Sequence, residues 1–161
     1  MRRILSIALV AVVFVAGLAF ASLQGAAQAP QKQGNLILRG DMAVFFGPGK
    51  PSNCTLRNVY KRGEPVGWRI EAVDPETGKH VEPEAELFVH LNYAGKAQDI
   101  KMRWRATAQQ PERQFWVAKW IVPADAATGI VRFTVTAKDK LGRTGEFKPF
   151  DVEASQLTIV E

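Results

Sequence analysis

Side chains that could perform catalysis are few in this sequence. It contains two histidines, His80 and His90, and neither Gly-x-Ser-x-Gly nor any local Ser/His/Asp set. Hydrolytic chemistry needs a nucleophile, a base and a group that orients the base, so this inventory is poor. His80 follows Lys79 in a charged loop, and His90 alternates with Phe88 along a strand. The sequence therefore predicts no catalytic residue and a protein that is not an enzyme; a hydrolase without local motifs is the weakest alternative.

A metal site would use soft or borderline ligands, with which an exported β-protein can bind copper. None of the candidate ligands stands at a spacing such as His-x-His or Cys-x₂-Cys. The candidates are Cys54, His80, His90, Met42 and Met102. The pattern favours core positions for the methionines and for Cys54, with a disulfide between chains or metal ligation as the alternative for Cys54. No metal and no other cofactor is predicted.

Aromatic and cationic side chains are the remaining candidates for binding. Four tryptophans could form a carbohydrate platform, but strand alternation places them all on apolar faces. These are Trp68, Trp104, Trp116 and Trp120. Trp104 differs because it lies between Arg103 and Arg105, which alternate with Lys101 as a basic row that could meet an acidic partner. The partner-binding prediction is thus Lys101, Arg103, Trp104 and Arg105; the alternative is a solvated face that protects a sheet edge.

The N-terminus carries the features of an export signal. Arg2 and Arg3 precede an uncharged apolar run at residues 4–20, and small residues follow it. This layout is typical of a secretory signal peptide, and we predict a signal peptide helix at residues 1–29. The protein is therefore expected to be periplasmic or secreted.

Two cleavage positions fit the small-residue pattern, after Ala21 and after Ala27. Cleavage after Ala29 is less favourable, because Pro30 would follow the scissile bond. Residues 30–34 are polar and predict a flexible leader. The alternative is an uncut membrane anchor, although the apolar run is slightly short for a spanning helix. Contact with a membrane is expected only through this segment, if it is uncut.

The charge of the chain excludes a dedicated nucleic-acid binder. The formal net charge is +5, from 21 basic and 16 acidic residues. Removal of Arg2 and Arg3 with the signal leaves 19 basic residues and a charge of +3. Opposite charges are interspersed, whereas nucleic-acid binding needs a concentrated basic patch. A phosphate-binding loop at residues 47–50 is also excluded, because the full motif and a following helix are missing.

The residue pattern after the leader predicts short strands. Val66, Trp68, Ile70 and Ala72 alternate with polar residues, which predicts a half-buried strand. No stretch shows a helical period over ten or more residues. The interval at residues 106–113 is polar and predicts a loop. The predicted strands are 35–39, 42–46, 66–72, 85–91 in a hairpin with 100–104, then the apolar central strand 115–122, and finally 130–137, 146–152 and 156–160. Seven to nine antiparallel strands of this kind predict an all-β sandwich.

The order and spacing of the turn motifs carry a resemblance to a known class. The motifs are Gly63-Glu64-Pro65-Val66, Asp74-Pro75-Glu76-Thr77-Gly78, Val122-Pro123-Ala124-Asp125-Ala126 with Gly129, Val135-Thr136-Ala137-Lys138-Asp139, and Gly142-Arg143-Thr144-Gly145. Over residues 35–161 the chain resembles the immunoglobulin-like and fibronectin type III-like modules of exported bacterial proteins. The resemblance implies an immunoglobulin-like β-sandwich. The paired cysteines of antibody domains are absent, and the sandwich segment exceeds the roughly 100 residues of that fold.

Such modules usually bind or space other proteins. The resemblance therefore implies a non-enzymatic accessory protein that binds a protein partner, as a small subunit of a periplasmic or envelope assembly. A carbohydrate- or metal-binding periplasmic module is the alternative. Both are analogies drawn from the fold, which many functions share.

Overall fold

The computed structural model describes residues 35–44, 55–93, 95–107 and 110–161, with the side chains of residues 107–113 outside the description. The predicted signal peptide at 1–29, the leader at 30–34, the stretch at 47–50 and Cys54 lie outside the described residues. Predictions that concern them stay predictions. No helix in the described part of the chain has the length and apolar character needed to cross a membrane.

Alternation of apolar and polar residues produces the strands, because successive side chains of a strand point to opposite faces. The strand from Pro65 to Val73 is an example: Val66, Trp68 and Ile70 are fully buried. Eleven strands occur in the described ranges: β1 (Ile37–Val44), β2 (Thr55–Leu56), β3 (Val59–Lys61), β4 (Pro65–Val73), β5 (Glu86–Tyr93), β6 (Lys96–Lys101), β7 (Arg103–Thr107), β8 (Gln110–Ile121), β9 (Gly129–Lys138), β10 (Thr144–Phe147) and β11 (Leu157–Val160). A 3₁₀ turn at Glu153–Ser155 precedes β11.

The strands form two sheets. The first sheet has the order β2-β1-β4-β8-β7, and all its neighbours are antiparallel. The second has the order β3-β11-β9-β5-β6, with β10 also paired to β9. In it, β11 and β3 are parallel, and the other pairs are antiparallel. The predicted all-β class is confirmed. The strand count is higher than predicted, partly because β2 and β3 are too short to show a period.

One buried core contains residues of both sheets. Trp68 of β4 meets Phe133 of β9 edge-on, with ring centroids 5.7 Å apart. Trp120 of β8 meets Tyr93 of β5 in the same way at 5.3 Å. Since these contacts cross from the first sheet to the second, the two sheets face one another as in a sandwich.

The prediction of a loop at residues 106–113 is wrong. In the structure β7 and β8 form an antiparallel hairpin, and Thr107 is paired with Gln110. This hairpin lies at the edge of the first sheet, where polar residues are compatible with strand structure. Polarity alone therefore indicated a loop where the chain continues as strand.

The two strands predicted before residue 47 overlap one continuous strand, β1. It passes through Gly40, and it pairs with β4 along its length. A Cβ atom at Gly40 would lie 2.1 Å from the main-chain oxygen of Arg69, so only glycine fits this close approach. The glycine that interrupted the apolar pattern thus permits the strand instead of ending it.

The chain changes sheet at Met102. Before it, β6 pairs with β5 in the second sheet, with Val89 opposite Ile100. After it, β7 pairs with β8 in the first sheet, with Arg103 opposite Val117. Met102 is buried, and its N–H donates to the oxygen of Leu87 at 2.8 Å. The predicted hairpin is therefore confirmed as far as β6, and the residues after Met102 belong to the opposite sheet.

Candidate partner-binding surface

The four predicted partner-binding residues are divided between the two sheets. Lys101 ends β6 in the second sheet, whereas Arg103, Trp104 and Arg105 lie in β7 of the first. Lys101 Nζ donates to Glu86 Oε1 at 2.7 Å and lies 5.7 Å from the centre of the Phe88 ring. The four residues therefore do not form a single row, because the change of sheet at Met102 separates Lys101 from the arginines, and their role in partner binding stays a prediction. The charge of Lys101 is already paired.

Trp104 holds the edge strand to the sheet. It is half-buried and lies directly opposite Trp116 of β8. The two indole rings meet edge-on, with centroids 4.3 Å apart and an interplanar angle of 61°. This arrangement is favourable for aromatic pairs. The side chain of Trp104 therefore packs against Trp116, while Arg103 and Arg105 on either side of it are exposed.

A cationic surface forms where β7 meets β8 on the outside of the first sheet. Arg103 is opposite Val117, and Arg105 is opposite Phe115. Lys119 follows Val117 at the next outward position of β8, since outward positions alternate. The two apolar residues are half-buried and the three cations are exposed. We call these five residues the cationic face.

Other charges on the outside of the first sheet are neutralised by neighbours. Arg69 Nη2 lies 2.6 Å from Asp41 Oδ2, and its Nε lies 2.7 Å from Oδ1 of the same carboxylate. Arg39 Nε lies 2.5 Å from Glu71 Oε2. The three cations of the cationic face form no ion pair with any side chain that the structure describes. Their charge is therefore unpaired among the described side chains, and the positive potential of such a group reaches about 10 Å into dilute salt solution.

Sequence reasoning identified Arg103 and Arg105 but missed Phe115, Val117 and Lys119. Their alternation along the strand was visible, and it placed them on one face of β8. What was missing was the pairing of β8 with β7, which the predicted loop at residues 106–113 concealed. Pairing two strands across a polar turn would have brought the five residues together.

His90 is the centre of a second polar arrangement, on the outside of the second sheet. Its Nδ1 lies 2.7 Å from Asp99 Oδ1, and its Nε2 lies 2.7 Å from Thr136 Oγ1. Carboxylate, imidazole and hydroxyl follow each other in the order used by hydrolases. However, Thr136 lies in a strand paired on both sides, with Phe88 and with Glu146. The ladders on both sides occupy the main-chain N–H groups there, which an oxyanion would need.

Metal-ligand chemistry has little support in the described ranges. They contain no group of three or more His, Cys, Asp or Glu side chains that could hold a metal ion. Met42 and Met102 are buried in the core. His80 is half-buried, and its Nδ1 has no hydrogen-bond partner within the described residues.

The tryptophans are largely unavailable as a carbohydrate platform. Trp68, Trp116 and Trp120 expose 5% of their surface or less. The indole N–H of Trp120 donates to Gln98 Oε1 at 3.1 Å, which satisfies it within the protein. The prediction that these rings pack in the core is confirmed.

Comparisons of the chain with protein-family models, with curated proteins and with solved structures find no match. The geometry of the described residues is therefore the basis for any functional conclusion. Within it, the cationic face combines exposed charge with apolar surface, and it includes two of the residues predicted from the sequence.

Proposed function

We propose that this chain is an exported, non-enzymatic, immunoglobulin-like accessory protein that binds an acidic protein partner through its cationic face. The observation that carries the proposal is the grouping of three exposed cations, without an ion pair to any described side chain, around Phe115 and Val117. Protein interfaces combine apolar contact area with a charged rim, and arginine is enriched in them. Complementary charge accelerates association and selects the partner.

Neutralisation of the neighbouring charges supports a specific surface over general solubility. If the cations served only solubility, we would expect ion pairs like those of Arg39 and Arg69 to occur across the whole sheet. Instead the described ion pairs on this face join β1 to β4, and the cations of the cationic face have no ion-pair partner among the described side chains. An edge strand with cations is also protected against aggregation, so both roles are compatible.

Export and membership of the immunoglobulin-like class are parts of the same proposal. The N-terminal pattern of arginines, apolar run and small residues supports export. Two facing sheets and a core that contains tryptophan support the immunoglobulin-like or fibronectin type III-like class. In the described residues the Asp99–His90–Thr136 arrangement lacks free main-chain N–H groups for an oxyanion, and a small sandwich of this kind suits an accessory subunit of a periplasmic or envelope assembly.

The test reverses the charge of the cationic face. The double variant Arg103→Glu, Arg105→Glu and the native protein are each used to recover partners from the native periplasm and envelope. A matched control, Lys79→Glu with Lys140→Glu, changes the net charge equally at exposed positions in turns. We expect a partner that the native protein and the control retain and that the double variant loses.

Circular dichroism with thermal unfolding reports whether each variant folds, which separates loss of binding from loss of folding. A second variant, Val117→Ser, removes apolar contact area without altering the charge. A folded double variant that retains every partner of the native protein would contradict the proposal. So would a native protein that is strictly monomeric and recovers no partner.

A further inference from the structure

The side of the sandwich opposite β7 contains a cavity of about 510 Å³. In the order of the first sheet β1 lies away from β7, so this cavity is remote from the cationic face. We call it the side slot. The residues that matter for its chemistry are Gly40, Met42, Phe133, Phe147, Lys148 and Phe150. Its volume and mainly apolar walls are those of a small-molecule site, for which volumes of roughly 300–1,000 Å³ are usual.

The topology of the second sheet explains why a slot exists here. On one side, β9 pairs with β11 as far as Val131 and with β10 from Val135 onward. The chain between β10 and β11 leaves the sheet at residues 148–156. Phe133 lies in the interval between the two pairings and forms part of the slot wall. The slot thus reaches the core, because Phe133 is also in contact with Trp68.

Gly40 brings a main-chain amide to this apolar slot. The N–H of Leu36 donates to Thr144 at 2.7 Å, and the oxygen of Met42 accepts from Arg57 at 3.3 Å. Both bonds point away from β4, so alternate residues of β1 direct their main-chain groups outward. Gly40 lies between them at the same parity, so regular alternation directs its N–H outward, and Gly40 lines the slot.

The charges around the slot leave one cation unpaired. Asp41 is paired with Arg69, and Arg57 donates to both oxygens of Glu64 at 3.2 and 2.8 Å. Lys148 is exposed and forms no ion pair with any described side chain. A ligand that enters the slot therefore meets apolar walls, the main-chain amide of Gly40 and an ammonium group that has no ion pair with a described side chain. This combination is complementary to an apolar body with an anionic head.

The outer wall of the slot is held in place while remaining exposed. Phe150 exposes 82% of its surface, an unusual position for a large apolar side chain. Its main-chain oxygen accepts a hydrogen bond of 2.7 Å from Nε2 of Gln156, which is 4% exposed. Pro149 beside it is buried. The main chain of this wall is therefore fixed at Phe150, which lowers the entropic cost of closing the wall on a ligand.

We infer that the side slot binds an amphiphilic carboxylate of the fatty-acid class. The carboxylate accepts hydrogen bonds from Gly40 N–H and Lys148 Nζ, and the hydrocarbon chain lies against Phe133, Phe147 and Phe150. Burial of Phe150 by the ligand removes exposed apolar surface from water, which supplies the main driving force. The site is independent of the cationic face.

Calorimetric titration of the full mature protein with dodecanoate, below its micelle concentration, tests the inference. Dodecyltrimethylammonium has the same tail and the opposite head charge, and we expect it to bind about tenfold more weakly. Lys148→Gln should weaken dodecanoate binding roughly fivefold, as for a partly exposed ion pair. Phe150→Ser should weaken it about tenfold or more through lost apolar contact. Lys140→Gln and Leu141→Ser are the matched controls, and both should bind like the native protein.

Nuclear magnetic resonance identifies the position of the ligand directly. Dodecanoate should move the Gly40 amide proton downfield, while the Gly78 amide, at a turn remote from the slot, stays unchanged. Absence of any binding would overturn the inference. Equal affinity for the two head groups, native affinity in both slot variants, or shifts confined to the cationic face would overturn it as well.

Discussion

Arg143 binds Asp74 across one end of the sandwich, with Nη1 3.0 Å from Asp74 Oδ2. The same guanidinium donates from Nε to Asp139 Oδ2 at 2.6 Å. The Arg143 side chain is 6% exposed and that of Asp139 is fully buried. Asp74 directly follows β4 and Arg143 directly precedes β10, so this cluster joins an end of the first sheet to an end of the second.

Arg143→Met should destabilise the fold by about 3 kcal/mol or more. Removing the guanidinium leaves the buried carboxylate of Asp139 without its counter-charge, which is far more costly than loss of an exposed pair. The measurement is the free energy of unfolding in urea. Arg132→Met is the control, because Arg132 and its partner Asp151 are 66% and 72% exposed. The control should cost less than about 1 kcal/mol, and an equal loss in both variants would contradict the structural role of Arg143.

Acid should weaken the fold through Asp74. Its pKa is lowered from 3.8 to about 2, mainly by the hydrogen bond from Arg143 and then by the main-chain N–H of Glu76. Unfolded Asp74 binds its proton more tightly than folded Asp74, so acidification favours the unfolded state. The contribution is fully present above about pH 4 and is lost as the pH falls towards 2.

Unfolding at a series of pH values measures this contribution. Asp74→Asn should show a shallower loss of stability than the native protein between about pH 4 and pH 2, because it lacks the titrating group. Asp125→Asn, at an exposed turn position, should follow the native curve. Parallel curves for Asp74→Asn and the native protein would exclude the Arg143–Asp74 interaction as a source of acid sensitivity.

The loss of stability in alkali should depend on a different residue, Tyr60. Burial raises the pKa of Tyr60 from 10.0 to about 12, and its hydroxyl donates to the oxygen of Arg57 at 2.9 Å. A raised pKa means that stability is intact below about pH 10 and falls as the pH rises towards 12. Phenolate absorbance should therefore show a transition that lies well above the ordinary range of a tyrosine. Tyr60→Phe should remove this transition, and ionisation of Tyr60 near pH 10 would contradict its burial.

Gly145 should tolerate no side chain. A Cβ atom there would lie 2.6 Å from the main-chain oxygen of Leu36, where β1 approaches β10. Gly145→Ala should cost about 1–3 kcal/mol, as for an overpacked core position. Gly78→Asn is the contrasting variant, because Gly78 has a φ of 67° in open space and asparagine accepts that conformation. Thermal unfolding should show a clear loss for Gly145→Ala and a small one for Gly78→Asn.

Partner binding through the cationic face should depend strongly on salt. Between about 0.05 and 0.5 M ionic strength, screening shortens the range of the positive potential and slows association. Surface plasmon resonance with the recovered partner measures the association and dissociation rates separately. The association rate should fall with added salt and the dissociation rate should change less. A salt-independent association rate would argue for a purely apolar interface.

Local periodicity predicted which face of a strand is buried. In β4 the alternating residues Val66, Trp68 and Ile70 are buried as expected, because a single strand carries that information in its own sequence. The same reasoning failed at Met102. Alternation of exposed and buried residues continues from Lys101 to Arg105 without interruption, although the chain passes from one sheet to the other. No local pattern distinguishes a continuing strand from one that changes its partner.

Contacts between distant segments were beyond prediction for a related reason. Asp74 and Arg143 each stand in turn motifs that look polar and exposed. Their burial follows only from the meeting of two turns at one end of the sandwich. The side slot has the same origin, since Gly40 and Phe150 come together through sheet topology and not through spacing in the chain.

The parallel pairing of β3 with β11 has a consequence for how the chain reaches its native state. Thr158 is paired with Val59, and Leu157 and Ile159 complete the buried interior. The early strand β3 therefore has no parallel neighbour until β11, much later in the chain, is in place. Closure over so long a separation in the chain is slow. The edge of the second sheet that β3 forms is therefore expected to be among the last parts of the described fold to become stable.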